Sequence, residues 1–460
     1  MANTSSYALR PVVSGSTDDF NKLTVSCWFK GNNDGVQRSF WGIFDQTSSN
    51  RFFHLYFSSN GSLYGYWRQN EGIFFTLGTM QKFRDPNAWY HFVMTMDTTL
   101  STAADRVKFY VNGERITEFE DSLDTITQNQ QCNILVNTDG RTIWGAGKQS
   151  GTLYYWDGAL SHCHMTVGYA YGPGEFGETD STTGTWKIKT TPSVTYGNNG
   201  GFWFKDSSAL TDHSSNSNDL TISGGTLTTT VDNPSNNLSI ANVLFNPDPG
   251  NGSLGSIANG NTTFTTNYTS QSIMGVSTVG ATSGKYYCEM KLTGESGTGE
   301  AFAGMGYDIY ANATTSMNAD SSFMWNVCSN GAAKQGGSDT GAGNWSNTYT
   351  TNDIISVAMD LDNNKVYFAK NGQYADGSGN WDEAFTGSPA HANITAGKMY
   401  YFCAGDKSTS QNATWSINFG NGFFGTTAVA SAGTNASGNG IFEYDVPSGF
   451  TALSTKGINL

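Results

Sequence analysis

Alternating apolar and polar residues between Ala88 and Ile116 predict two β-strands that are separated by a polar connection and followed by a hairpin turn. One side of the first strand carries apolar side chains at Tyr90, Phe92, Met94 and Met96. The second strand repeats the alternation at Val107, Phe109 and Val111. Successive side chains of a strand point to opposite faces of a sheet, so each strand has one buried face and one outer face. Asn112-Gly113 follows, and this pair favours the positive φ angles of a tight hairpin turn.

The same pattern recurs in the second half of the chain, from Asp353 to Gln373. Apolar residues alternate at Ile355, Val357, Met359 and Leu361, and again at Val366 and Phe368. Asn371-Gly372 supplies a second hairpin turn of the same kind. The recurrence predicts that both halves of the chain are built from sheets of similar design.

Composition extends this prediction to the whole chain. Of its 460 residues, 13% are aromatic and 13% are charged, and 55 are glycine. Aromatic and β-branched residues favour strands, Gly and Asn favour turns, and no long segment follows the 3.6-residue period of a helix. We therefore predict an all-β fold with two antiparallel β-sandwich domains. The first spans residues 1–210 and ends in a packed arm that begins at Gly168. The second spans residues 241–460, and an Asn/Ser/Thr/Gly-rich linker at residues 211–240 joins the two.

The charge of the chain restricts its partners. A net charge of −14 and a pI near 4.7 argue against nucleic acid, because nucleic-acid binders need a basic patch. Residues 1–15 lack the basic region and apolar core of a secretory signal. No apolar stretch has the length that a bilayer span requires. We therefore expect a protein made in the cytoplasm, with no nucleic-acid partner and no membrane insertion.

Candidate metal ligands are few, and each has a simpler explanation. His162 and His164 alternate in one strand, and we expect a solvent-facing pair because no third ligand is signalled. The run from Asp360 to Asn364 offers oxygen ligands for calcium, but its spacing departs from a complete calcium loop, so we favour a turn. The six cysteines form no CxxC pair and are expected to be buried free thiols. The sequence thus predicts no metal and no cofactor.

A β-sandwich can also carry a pair of catalytic carboxylates. Glycosidases need two carboxylates facing a cleft. Glu118, Glu120 and Asp121 are the nearest candidates. Glu118 and Glu120 would share a strand face, but no aromatic run flanks them as a sugar cleft requires. Glu175, Glu178 and Asp180 lie in a segment without strand alternation. We therefore predict no catalytic residue.

Aromatic residues in turn-rich segments are the strongest candidates for ligand contacts. Sugar rings stack on the faces of Tyr and Trp, and exposed rings of these residues also support protein contacts. The predicted ligand-binding residues are Tyr64, Tyr66, Trp67, Trp325, Trp345 and Trp381. Ordinary packing in a hydrophobic core is the competing explanation for each of them.

The first half of the chain resembles laminin-G-like, concanavalin A-like jelly rolls. The resemblance is carried by WYHF (89–92) and FYVNGE (109–114). The segments WDGAL (156–160), FGE (176–178) and GTWK (184–187) are similar to lectin-like proteins encoded by tailed phages, especially marine ones. The resemblance implies a lectin-type sandwich and transfers no catalytic residue, because these families share an architecture and no common catalytic site.

The second half of the chain resembles a SPRY domain, which is also a β-sandwich. The matching segments are GKYYCE (284–289), GMG (304–306), DIISV (353–357) and FAKNG (368–372). Together the two resemblances cover most of the chain outside the linker. They imply a binding or structural module, and not an enzyme.

The resemblances imply a phage virion protein, located on the virion surface and of the tail-fibre or adhesin type. Such a protein binds host-surface glycan or protein through loops on a rigid scaffold. It also contacts other virion proteins, and the usual symmetry of virion assemblies implies a homo-oligomer such as a trimer. A capsid-decorating or assembly protein that contacts only other virion proteins is the main alternative. A polysaccharide-degrading enzyme is a less favoured one.

Overall fold

The structure is a computed structural model of the 460-residue chain. The residues that it describes are 6–31, 35–69, 72–181, 184–242, 245, 252–268, 273–297, 300–309, 322–336, 338–339, 348–376, 380–387, 394–407 and 411–459. The chain divides into two compact units. The first comprises residues 1–229 and 233–235, and the second comprises residues 230–232 and 236–460.

The first unit contains the strands β1 to β18. They are β1 (Tyr7–Pro11), β2 (Lys22–Gly31), β3 (Arg38–Asp45), β4 (Phe52–Phe57), β5 (Ser62–Gln69), β6 (Gly72–Lys82), β7 (Tyr90–Asp97), β8 (Val107–Val111), β9 (Glu114–Ile116), β10 (Phe119–Asp124), β11 (Gly140–Trp144), β12 (Ala146–Gln149), β13 (Thr152–Tyr155), β14 (Gly158–Val167), β15 (Gly177–Thr179), β16 (Trp186–Ile188), β17 (Gly201–Trp203) and β18 (Thr221–Gly224). Single 3-10 turns occur at Ala103–Asp105 and Pro173–Glu175.

Two antiparallel sheets enclose the core of the first unit. The 8-stranded sheet has the order β10-β6-β5-β4-β3-β11-β1-β18, and the 6-stranded sheet has the order β17-β14-β2-β7-β8-β9. Apolar side chains from both sheets form one cluster, with Phe53 and Trp67 from the first and Phe92 and Phe109 from the second. Period-two alternation therefore gives each sheet one face in the core and one outer face.

Each outer face of this sandwich is covered in part. The hairpin β12–β13 lies on the 8-stranded sheet, where a Cβ on Gly147 would come within 2.1 Å of the Ser39 hydroxyl. The segment that follows β14, here called the arm (residues 168–200), carries the hairpin β15–β16. In the arm, Trp186 stacks on His91 of the 6-stranded sheet at an interplanar angle of 24°. The arm therefore buries outward-facing polar residues of that sheet.

Residues just beyond the predicted end of the first domain are part of this unit. Asn218 accepts a hydrogen bond from the buried Arg10 guanidinium at 2.7 Å, and its backbone N–H donates to Asp212 at 2.8 Å. Leu220 is in the core, and β18 pairs with β1 at the edge of the 8-stranded sheet. The first part of the predicted linker is therefore ordered by a buried polar network and by strand pairing.

The second unit contains the strands β19 to β35. They are β19 (Gly252–Ala258), β20 (Thr263–Tyr268), β21 (Ile273–Val276), β22 (Lys285–Glu295), β23 (Ala301–Tyr307), β24 (Met324–Cys328), β25 (Ala333–Gln335), β26 (Ser338–Asp339), β27 (Ile354–Asp360), β28 (Lys365–Lys370), β29 (Gln373–Ala375), β30 (Trp381–Glu383), β31 (Tyr400–Asp406), β32 (Ala413–Asn418), β33 (Phe423–Phe424), β34 (Thr427–Ala428) and β35 (Thr451–Ala452). A 3-10 turn at Gly457–Asn459 follows.

The second unit is also a sandwich of two sheets. The order of the larger sheet is β19-β20-β32-β22-β27-β28-β29-β30, with β35 added parallel to β22, and the order of the smaller sheet is β21-β31-β23-β24-β25-β26. The C-terminal segment packs on the outer face of the larger sheet. There Phe442, Val446 and Phe450 form a second apolar cluster with Tyr287 and Tyr367.

The prediction of an all-β fold with antiparallel sandwiches is confirmed. The described residues contain strands and single 3-10 turns and no α-helix. Both predicted hairpins are present, with positive φ at Asn112 and Gly113 and again at Asn371 and Gly372. All six cysteines are buried and free, as expected. Among the described residues, no helix has the length and apolarity to cross a membrane.

Candidate functional site

The outer face of the 8-stranded sheet carries three neighbouring tyrosines, here called the tyrosine face: Tyr56, Tyr64 and Tyr66. Tyr64 and Tyr66 lie in β5 and are half-buried. Leu63 and Trp67 of the same strand point into the core. Tyr56 of β4 pairs directly with Tyr64. Their rings stack at 5.2 Å between centroids and 20° between planes.

Gly78 of β6 makes room for the ring of Tyr64. The two residues are direct partners across the sheet. A Cβ on Gly78 would lie 2.2 Å from the Tyr64 ring, closer than atoms can approach. The ring therefore lies over the neighbouring strand, in space that only glycine leaves open.

Glu120 fixes the hydroxyl end of Tyr64. This carboxylate lies at the bulge where β10 pairs with β6. It accepts hydrogen bonds from the Tyr64 hydroxyl at 3.2 Å and from Asn60 Nδ2 at 3.0 Å. It also accepts from the Ser62 hydroxyl and forms an ion pair with Lys82. Both oxygens of Glu120 are thus occupied by groups of the protein.

These contacts shift the pKa values of Glu120 and Tyr64. Hydrogen bonds from Lys82 and then from Ser62 lower the pKa of Glu120 to about 2. Burial, followed by the charge of Glu120, raises the pKa of Tyr64 to about 12. At neutral pH the pair is therefore a carboxylate and a neutral phenol, so Glu120 has no proton to give to a leaving group.

His54 and the β12–β13 hairpin support the opposite side of the tyrosine face. The His54 ring is fully buried and stacks on Tyr56 at 4.6 Å and 20°. Burial lowers the pKa of His54 to about 3, so the imidazole is neutral at physiological pH. Tyr66 packs edge-on against Phe52 at 5.2 Å. The three tyrosines therefore lie on a packed aromatic layer.

Two of the predicted ligand residues are core residues. Trp67 is 0% exposed and stacks on Phe74 at 4.9 Å. Trp325 is 3% exposed and packs against Tyr307 and Tyr400. Each tryptophan lies in a strand at an inward position of the pleat, and not in an open turn, so neither ring is available to a ligand.

The remaining predicted tryptophans are placed differently. Trp381 begins β30 and is partly buried against the core of the second unit. Trp345 lies outside the described residues. Of the predicted residues in the first unit, Tyr64 and Tyr66 are brought together on one surface, and Trp67 lies in the core.

The histidine pair is not a solvent-facing pair. His164 is 2% exposed and stacks on Phe202 at 3.9 Å, and its Nδ1 lies 2.9 Å from the Tyr196 hydroxyl. His162 adopts a positive φ of 47° within the bulge of β14. The bulge interrupts the alternation on which the expectation depended, and the neighbouring segments cover His164.

The acidic turn and the other carboxylates have structural partners. Asp360 accepts from the backbone N–H of Asn363 at 3.0 Å and pairs with Lys285 at 2.9 Å, as a turn predicts. Within the described ranges, no group of three or more His, Cys, Asp or Glu side chains has the arrangement of a metal site.

Glu118 lies before β10, and the carboxylate of Glu120 is held by the four contacts described above. In the arm, Glu178 and Asp180 both pair with Lys187, at 3.5 and 3.1 Å. Glu175 lies 4.0 Å from Lys189. These carboxylates form surface ion pairs.

Sequence analysis did not identify two contributors to the tyrosine face. Tyr56 was recoverable, because it alternates with the apolar residues Leu55 and Phe57. Gly78 was not, since its role depends on the register of β5 and β6. Glu120 was noted as a possible catalytic acid, whereas its contacts position Tyr64.

A family comparison supports the architecture of the first unit. Residues 3–166 match the family model of the concanavalin A-like lectin/glucanases superfamily. This match and the two-sheet topology give the first unit a concanavalin A-like lectin fold. A search of curated proteins finds no match to the sequence.

Solved structures share low-identity similarity with parts of the chain. The SPRY domain of human HERC1 is 19% identical over 34% of this chain and 87% of its own, with a TM-score of 0.27. The Ruminococcus gnavus IT-sialidase CBM40 bound to alpha2,6 sialyllactose is 18% identical over 36% and 95%, with a TM-score of 0.27. Full-length tailspike protein 2 from Escherichia coli O157:H7 bacteriophage CAB120 is 12% identical over 37% and 22%, with a TM-score of 0.26.

Proposed function

We propose that the first unit is a carbohydrate-binding module and that the tyrosine face is its binding surface. The observation that carries the proposal is the pair Tyr64 and Tyr66, two half-exposed rings on the outer face of one strand. Residues two apart in a strand are separated by about 7 Å along its axis. Aromatic faces at this spacing offer stacking surfaces to consecutive sugar rings, while polar groups at the edge supply hydrogen bonds.

The rigidity of the surface also supports the proposal. Tyr64 is fixed at its ring by Gly78 and Tyr56 and at its hydroxyl by Glu120. A surface that is already ordered loses little conformational entropy when a ligand binds. The concanavalin A-like lectin fold of this unit is compatible with the same role, although fold alone does not assign a ligand.

The chemistry of the face favours binding over catalysis. A glycosidase acid needs a raised pKa so that it carries a proton at working pH, whereas the pKa of Glu120 is lowered to about 2. We therefore propose a non-catalytic module.

For the whole protein we propose a virion surface component of the tail-fibre or adhesin type that binds host-surface glycan. This finer role is supported by the resemblance of the segments around Trp156 and Trp186 to lectin-like proteins of tailed phages. Other virion proteins, and further copies of the same chain, are its proposed partners. The capsid-decorating role is the alternative within the same setting.

Binding of the full chain to a glycan array and to purified host-envelope polysaccharide tests the binding proposal. Tyr64→Ala and Tyr66→Ala are each expected to weaken binding about tenfold or more, because each removes a central stacking ring. Tyr110→Ala is the matched control, since Tyr110 is a half-buried tyrosine on the outer face of the other sheet. Unchanged binding by both Tyr64 and Tyr66 variants, or equal loss in the Tyr110 variant, would contradict the proposal.

Immunogold labelling of intact particles tests the proposed location. A tail-fibre or adhesin component is expected to be labelled at the tail. Label restricted to the capsid, together with no binding to envelope polysaccharide, would favour the decoration protein instead.

A further inference from the structure

We propose that Asp121 determines the specificity of the tyrosine face, by accepting hydrogen bonds from sugar hydroxyls and excluding anionic sugars. This inference rests on the proposed function and names the chemical class of its ligand, an uncharged glycan. Asp121 lies in the edge strand β10 and is exposed.

Strand register places Asp121 beside Tyr64. Asp121 pairs directly with Gly78, and Gly78 pairs directly with Tyr64. Residues directly opposite each other in adjacent strands point to the same face of a sheet. Because Gly78 has no side chain, nothing from β6 separates Asp121 from the ring that lies over it. The row Tyr56, Tyr64, Gly78 and Asp121 thus crosses four adjacent strands.

The charge of Asp121 acts on the tyrosines. After burial and the two contributions of Glu120, Asp121 is a further cause of the raised pKa of Tyr64. It likewise contributes, after burial and Tyr64, to the raised pKa of Tyr56. A negative field is therefore present where a sugar on Tyr64 would lie.

Among the described residues, the carboxylate of Asp121 has no hydrogen-bond donor or ion-pair partner, unlike that of its neighbour Glu120. Glu120 already accepts from three donors and is paired with Lys82. In the described part of the chain, no ion pair or hydrogen-bond donor engages the carboxylate of Asp121. Glu120 is accordingly a positioning residue, and Asp121 is the acceptor that a ligand can use. A carboxylate acceptor is well matched to the hydroxyl groups of an uncharged sugar.

The cations of this face do not cancel the charge of Asp121. Lys82 is neutralised by its ion pair with Glu120. Arg68 points to the same face of β5, but it is four residues from Tyr64, or about 13 Å along the strand. That distance exceeds the Debye length of about 8 Å at physiological ionic strength. The Tyr64 end of the face therefore carries a net negative charge, which repels carboxylated, sulfated or phosphorylated sugars.

An array that pairs each neutral oligosaccharide with its sialylated or uronate-containing counterpart tests this inference with the full chain. The wild-type protein is expected to prefer the neutral member by at least about fivefold, since two like charges about 4 Å apart repel by about this factor even in bulk water. In Asp121→Asn the preference is expected to fall below about threefold, through a gain of binding to the anionic members. Raising the ionic strength to about 1 M, where the Debye length is about 3 Å, is expected to narrow the wild-type preference as well.

Asp105→Asn is the matched control. It removes the same formal charge from a partly exposed aspartate next to β8 of the other sheet, where Asp105 pairs with Lys108 and Arg115. This variant is expected to keep the wild-type preference.

The outcomes separate the inference from the proposed function. A wild-type preference for anionic sugars, or an unchanged preference in Asp121→Asn, overturns the specificity role of Asp121. The tyrosine face stands in that case if Tyr64→Ala still abolishes binding. Absence of binding to every array member, or full binding by both Tyr64→Ala and Tyr66→Ala, overturns the proposed function and this inference together.

Discussion

A single glycine sets the position of the most important ring on the proposed binding surface. Gly78→Ala is expected to weaken glycan binding about tenfold without removing any ligand-contacting group, because the new methyl would lie 2.2 Å from the Tyr64 ring and displace it. Titration calorimetry with a glycan bound by the wild-type protein measures the effect.

Gly174→Ala is the control for this substitution. A Cβ at Gly174 meets no atom within 4 Å, and the residue lies in the arm on the other sheet. We expect wild-type affinity for this variant. Wild-type affinity in Gly78→Ala would mean that the Tyr64 ring position does not matter for binding.

A buried carboxylate in the second unit predicts an unusual pH dependence of stability. Glu289 accepts from the backbone N–H groups of Glu443 and Tyr444, each at 2.8 Å, and so holds the C-terminal segment on the sheet. Burial raises its pKa from 4.5 to about 7, although these donors favour the charged form. The native state therefore binds more protons than the unfolded state between these two pH values.

The sign of the effect follows from that difference. The stabilisation from the protonated group is complete below pH 4.5 and is lost as the pH rises to about 7, by about 3 kcal/mol in free energy of unfolding. Urea unfolding of the full chain at several pH values measures it. Glu289→Gln is expected to flatten this part of the profile, and an equally steep profile in that variant would assign the effect to other groups.

The alternation of apolar and polar residues predicted burial correctly where burial depends on a single strand. Phe92, Met94 and Met96 are core residues, as their alternation predicts. The same rule, applied to β5, would have separated Tyr66 from Trp67, because neighbouring residues of a strand cannot share a face. Naming both as ligand residues treated the segment as a turn, and the strand places the Trp67 ring in the core.

At the scale of elements, the arm acts as a cover for the 6-stranded sheet. Trp186 Nε1 donates to His91 Nδ1 at 2.9 Å, and Ser26 lies 2.9 Å from the other ring nitrogen. Trp28 stacks on the His91 ring at 4.9 Å between centroids. The arm thus satisfies a buried histidine whose pKa burial lowers to about 3.

Trp186→Ala is expected to destabilise the first unit by about 2 to 4 kcal/mol, since it removes a large ring and leaves His91 Nδ1 without a donor. Thermal unfolding measures the change. Trp186→Phe keeps the stacked ring and loses the N–H, so we expect a smaller loss of about 1 kcal/mol. Glycan binding is expected to persist in both variants, and loss of binding in folded Trp186→Phe would place the ligand on the arm.

The sequence predicted an arm at the end of the first domain, but it did not predict which faces the arm and the hairpin β12–β13 cover. The hairpins at Asn112-Gly113 and Asn371-Gly372 could be read from the chain because their signals are local. The arm over His91 and the hairpin β12–β13 over His54 depend on contacts between distant segments, for which a single sequence carries no periodic signal. The same cause explains why His164 was expected in solvent.

For the whole molecule, the extent of the first unit can be tested by truncation. A fragment of residues 1–210 lacks Asp212 and Asn218, which leaves the buried Arg10 guanidinium without its side-chain partner. An unpaired buried charge costs about 3 to 5 kcal/mol. We therefore expect the fragment 1–235 to unfold cooperatively in urea and the fragment 1–210 to unfold at a much lower urea concentration. Equal midpoints would instead support the sequence-based boundary at residue 210.

The fold class of the molecule was predictable because period-two burial recurs through both halves of the chain, and the motifs at 89–114 and 353–372 specified hairpins that are present. The proposed binding surface was predictable only at Tyr64 and Tyr66. Its remaining parts come from three strands brought into register, which the sequence of any one strand does not specify.

A crystal structure of the full chain with a bound oligosaccharide identified on the array would test the central proposal most directly. We predict sugar rings stacked on Tyr64 and Tyr66, with a sugar hydroxyl donating to Asp121. Clear density for the oligosaccharide at another surface of either unit, with the three tyrosines uncontacted, would contradict it.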